Sequence, residues 1–67
     1  MSQRLYEFRV LGRLSDHTLH AFANMDVTEV PAQTIICRRM ADDGEVNTTL
    51  ALIESLGLGL LSIEQVI

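Results

Sequence analysis

The chain has 67 residues, 48% of them hydrophobic, which suits one small folded domain and leaves no room for a second. A formal charge of -4 has the wrong sign for attracting a phosphate backbone, and no apolar run reaches the roughly 20 residues needed to cross a bilayer, so neither nucleic acid nor membrane is expected as a partner. One cysteine and two histidines supply neither an internal disulfide nor a full set of structural zinc ligands, and no cofactor is expected.

In chain order, Leu5 to Leu14 reads LYEFRVLGRL, with Tyr6, Phe8 and Val10 on one side and Glu7 and Arg9 on the other, the period-two pattern of a half-buried strand. Gly12 interrupts it near its end, where a glycine marks a bulge or bend. Ser15 stands at an N-cap position with Asp16 in the first turn, and a short helix over residues 16–24 follows, its inward stripe formed by Leu19, Phe22 and Ala23. Val27 to Val30 forms an edge strand, because Pro31 comes next, and a turn around Pro31 and Ala32 leads into a second clear strand, Gln33 to Ala41. Asp42 or Asp43 caps a helix from Gly44 to Leu56 that carries Val46, Leu50, Ile53 and either Leu56 or Gly57 on its buried stripe. Gly57 suits the left-handed position that ends the helix, with Leu58 folding back onto the last turn, and Leu60 to Ile67 then alternates as a final strand, Leu61 and Ile63 on one face and Ser62 and Glu64 on the other.

The resulting order, βαββαβ, predicts an α+β ferredoxin-like sandwich: a four-stranded antiparallel sheet in the order 4-1-3-2 with two helices on one face. Its uncovered face presents Glu7, Arg9 and Leu11 beside Ile36, Arg38 and Met40, with Ser62, Glu64 and Val66 on the flank. The third strand is apolar on both parities, so the opposite register, with Ile35, Cys37 and Arg39 outward, is equally compatible.

No motif assembles a catalytic or metal site. Asp16, His17 and His20 lie near one another on the first helix, but two imidazoles and a carboxylate fall short of the three ligands and open position of catalytic zinc, and a solvated helix face accounts for them. Cys37 has no histidine placed to activate it and reads as a packed thiol. Arg38 and Arg39 are expected in salt bridges with Glu7 or Glu64 on neighbouring strands. Asp42 to Glu45 reads as a turn and cap rather than a calcium loop, and Gly57-Leu58-Gly59 leads out of a helix C-terminus, where the dipole repels the phosphate that a glycine-rich loop would hold.

YEFRVLGRLSD, residues 6–16, and LALIESLGLGLLSI, residues 50–63, resemble a group of short, uncharacterised, mainly actinobacterial proteins of ferredoxin-like fold. The match covers about a third of the chain, and the resemblance implies no catalytic residue. GRLSDHT is loosely similar to the first strand-helix turn of ACT domains, which bind small regulatory ligands; that likeness implies a ligand turn at Gly12 and Ser15.

The expected function is a non-enzymatic interaction or oligomerisation module acting through its exposed sheet face or an edge strand. Candidate contacts are Arg9, Leu11, Ile36, Arg38, Met40, Glu64 and Val66. A chain this small buries only about 60% of its unfolded surface, and self-association is the most economical way to bury more, so the expected partner is a second copy, in a dimer or larger homo-oligomer, or another protein. A lone thiol and the lack of a secretory leader make the cytoplasm the expected location. An ACT-like small-metabolite sensor is the alternative, and an accessory enzyme or cyclase-like subunit using His17, His20 or Cys37 stands third.

Overall fold

Along the first strand, Phe8 and Val10 are wholly buried, while Glu7 and Arg9, which alternate with them, keep contact with solvent. This alternation sets the inside of the molecule. The computed structural model describes residues 3–30 and 32–66. Within them the chain forms β1 (Arg4–Leu11), α1 (Asp16–Leu19) continuing into a 3₁₀ turn (His20–Phe22), β2 (Asp26–Val30), β3 (Gln33–Met40), α2 (Asp43–Ser55) and β4 (Leu60–Val66). Pro31 and Ile67, expected in a turn and at the end of the last strand, lie outside the described residues.

The strands form one antiparallel sheet in the order β2-β3-β1-β4, which counted from the β4 edge is 4-1-3-2. Phe8 stands opposite Ile36 on one side and Ile63 on the other, and Val10 stands opposite Thr34. Residues directly opposite share a face, so one face carries Tyr6, Phe8, Val10, Thr34, Ile36, Arg38 and Met40. A single core cluster joins that face to Leu14, Phe22 and Ile53, which places both helices over it and leaves the other face open. Ile36 and Met40 therefore point into the core, at 0% and 1% exposure, and do not belong to the open face.

The helices differ from their expected stripes for local reasons. The first helix tightens into a 3₁₀ turn at His20, and with three residues per turn Leu19 and Phe22 stack while Ala23 is carried out to solvent; Ala21 packs against the core instead. In α2 the buried positions are Thr49 and Ile53, flanked by Val46 and Leu52, so the stripe is rotated away from Leu50 and ends before the exposed Leu56 and Gly57. Thr49 tolerates burial because its hydroxyl donates to the Glu45 carbonyl at 3.0 Å.

Each helix end is built from its own sequence. Ser15 Oγ accepts from the Thr18 N–H at 3.2 Å, and Asp42 Oδ1 accepts from the Glu45 N–H at 2.9 Å. The Glu45 carboxylate returns to the Ala41 N–H at 2.8 Å, a reciprocal arrangement close to a capping box. At the far end Gly57 has φ +72; its N–H donates to Glu54 and that of Leu58 to Ile53, the two bonds of a Schellman ending, with Leu58 packed on the core. The chain then enters β4, where the register against β1 shifts between Arg9 and Val10 so that Leu61 is the extra residue of a bulge. Among the described residues no helix is long and apolar enough to cross a membrane.

Candidate interaction surface

The open face is built by the residues that the pleat turns away from the helices. Leu5, Glu7, Arg9 and Leu11 of β1 lie beside Arg39, Cys37, Ile35 and Gln33 of β3, with Val66, Glu64 and Ser62 of β4 and Asp26, Thr28 and Val30 of β2 on the flanks. It is a mixed surface holding two arginines and three carboxylates. Glu7 lies directly opposite Glu64, a like-charge pairing that alone would weaken the sheet. Arg9 offsets it: its Nη2 stands 2.7 Å from Glu7 Oε1, and its Nη1 donates to Gln33 Oε1 at 3.4 Å. The Glu7 ion pair thus comes from Arg9, two residues along the same strand, and not from Arg38 or Arg39, which the register sets opposite Tyr6 and Leu5.

Cys37 sits between Glu7 and Asp26 on this face, its thiol donating to Glu7 Oε2 at 3.9 Å. Partial burial, and then the charges of Glu7 and Asp26, hold the thiol above its ordinary pKa of 9.0, with Arg9 acting in the opposite direction. The thiolate is the reactive species, so alkylation by iodoacetamide at neutral pH will run slower than for a free thiol and will go on accelerating past pH 9.0. A rate that levels off below pH 9.0 would refute this account.

The structure splits the surface expected from sequence. Arg9, Leu11, Glu64 and Val66 share the open face; Ile36 and Met40 are core; Arg38 lies on the helix side, half-buried at the wall of a cleft beneath α2. At the expected ligand turn the polar groups bond to the chain itself. Gly12, at φ +83, donates its N–H to the Ala32 carbonyl at 2.9 Å and accepts the buried Thr34 hydroxyl at 2.7 Å, and the Ser15 hydroxyl also donates to Thr18 Oγ1 at 3.0 Å. His17 and His20 are exposed on the helical side while Cys37 is on the open face, so the sheet separates the thiol from both imidazoles. Among the described residues no three of His, Cys, Asp and Glu come close enough together to hold a metal ion.

A family model described as a domain of unknown function, DUF8691, matches residues 5–64. The chain belongs to the DUF8691 family. The matched stretch begins inside β1 and ends inside β4, so it takes in every helix and strand of the fold. No curated protein and no solved structure matches the chain.

The two edges of this DUF8691 sheet are unlike. β2 carries Asp26 and Glu29, and Glu29 Oε2 is held 3.2 Å from Arg13 Nε, so charge guards that edge. β4 reads LLSIEQV, with Glu64 its only charged residue, and exposes Leu61 at 49% and Ile63 at 37%. Ile63 shares the face of Phe8, yet the helices do not cover it. The sequence marks Leu61 and Ile63 as alternating strand residues; their exposure depends on where the helices end, which strand periodicity does not encode.

Proposed function

We propose that this DUF8691 domain is a non-enzymatic association module that pairs with a second copy through its β4 edge. The observation that carries the reading is the contrast between a β2 edge guarded by two carboxylates and a seven-residue β4 edge with one charge and two exposed large aliphatic side chains. Strand addition satisfies the unpaired backbone groups of such an edge, and a two-fold axis makes the contact self-complementary. With the axis at Ile63, Ser62 meets Glu64 of the second copy and Leu61 meets Gln65, so no like charges face each other and the two Ile63 side chains touch. The open sheet face continues from this edge through Val66, Glu64 and Ser62, and Leu5 and Leu11 extend its apolar area.

The antiparallel pairings β1–β3, β1–β4 and β2–β3 support the ferredoxin-like reading of the fold, in which such edges are open to pairing. The lone Cys37, held protonated, favours a reducing, cytoplasmic setting. Native mass spectrometry and sedimentation over a concentration series test the proposal. The wild type will pass from monomer to dimer, and Ile63→Lys will weaken that association by about tenfold or more, leaving the circular dichroism spectrum intact. Thr28→Lys, on the guarded edge, will leave it unchanged. A wild type that is still monomeric at high micromolar concentration, or a dimer indifferent to Ile63→Lys, overturns the proposal.

A further inference from the structure

Under the first turns of α2 the molecule has a cleft of about 380 Å³, well away from β4, lined by Met25, Arg38, Asp42, Glu45, Thr48 and Leu52 among others. Its volume is in the range of small-molecule sites. Arg38 enters from the helix side of β3, half-buried, and among the described residues its guanidinium makes neither an ion pair nor a side-chain hydrogen bond. A guanidinium has five donors in a planar fork suited to a carboxylate. On the opposite wall Asp42 and Glu45 each spend one oxygen on a backbone N–H, Asp42 on that of Glu45 and Glu45 on that of Ala41. Each keeps a second oxygen without a hydrogen-bond donor among the described residues. Cation and carboxylates thus line one cleft at more than ion-pair distance, with Met25 and Leu52 as apolar surface.

We infer that this cleft binds a small zwitterion of the α-amino-acid class, its carboxylate on Arg38, its ammonium on Asp42 and Glu45, and an apolar side chain against Met25 and Leu52. A simple anion is disfavoured, since Asp42, Asp43 and Glu45 already occupy the positive end of the α2 dipole and would repel it. A simple cation would be repelled by the Arg38 guanidinium and leave it without a partner.

Titration of the labelled protein with L-leucine, followed by amide chemical shifts, tests the inference. Saturable shifts are expected at Arg38, Gly44, Thr48 and neighbouring positions. N-acetyl-L-leucine, which lacks the ammonium, and L-leucinamide, which lacks the carboxylate, will each bind about tenfold more weakly or worse, because each loses one charge-assisted contact. Arg38→Gln will remove the discrimination against leucinamide, and since that comparison is made within one protein, a change in its stability does not confuse it. The inference is overturned if leucine gives no saturable shift up to about 20 mM, a concentration that covers even weak amino-acid sites, or if all three ligands bind alike. A monomeric wild type in the association experiment leaves this result unaffected.

Discussion

Replacing Ile36 with lysine will leave the chain unfolded at room temperature, whereas the same change at the adjacent Ile35 will leave it folded. The two residues differ only in which way the pleat turns them. Ile36 is wholly buried between Phe8 and Val27, while Ile35 is partly exposed on the open face beside Arg9. Lysine at position 36 loses the packing of a core isoleucine and leaves a buried charge without a partner, a combined cost above about 5 kcal/mol. A core in a chain of this size rarely supplies more than about 3–5 kcal/mol of net stability. Circular dichroism and urea titration of both variants decide the matter. Two variants that behave alike would mean that the register between β1 and β3 is not the one described.

Phe8→Ala will cost about 3–5 kcal/mol, the largest loss expected from any single truncation in the sheet. Phe8 lies in a central strand with Ile36 on one neighbour and Ile63 on the other, and it is 0% exposed. Both sides of the void would be held apart by backbone pairing, so the site cannot collapse to fill it. The urea midpoint will fall most of the way to zero, and Phe8→Leu, which keeps much of the volume, will recover the greater part. A Phe8→Ala midpoint close to that of the wild type would place the core elsewhere.

What the sequence made legible follows from the strength of each local signal. In β1 the alternation of Tyr6, Phe8 and Val10 with Glu7 and Arg9 is unambiguous, and the inward face follows from it. Ser15 and Gly57 were equally readable, because a cap and a stop act through their own backbone neighbourhoods, while the second cap, open in sequence between Asp42 and Asp43, falls on Asp42. β3 offered no such contrast, with Ile35 and Cys37 on one parity and Ile36 and Met40 on the other. The deciding signal was at its ends: the outward parity begins in Gln33 and finishes in Arg39, while the inward one begins in Thr34, whose hydroxyl the Gly12 carbonyl can accept, and finishes in Met40. Ile36 and Met40, expected on an interaction surface, are core because the middle of the strand is apolar on both parities and only its ends distinguish them. In α2 the apolar spacing takes in Leu50, yet the buried position is Thr49, because a threonine that returns its hydroxyl to the preceding turn enters a core at little cost. The cleft at Arg38 was illegible, because it depends on how far α2 stands from β3 and not on any spacing within one segment.

The position of β1 also governs how the molecule comes together in time. Its two neighbours are β3 and β4, and Leu5 near one end of the described chain lies opposite Val66 near the other. The β2–β3 hairpin needs only a short turn to close, whereas the β1–β4 pairing closes a loop that spans nearly the whole described chain. Pairings of such long range make folding slower than that of a helical protein of equal length. Until β4 arrives, one edge of the central strand stands bare, and a crowded solution offers it other chains first. Refolding yield should therefore depend on protein concentration more steeply than native stability does.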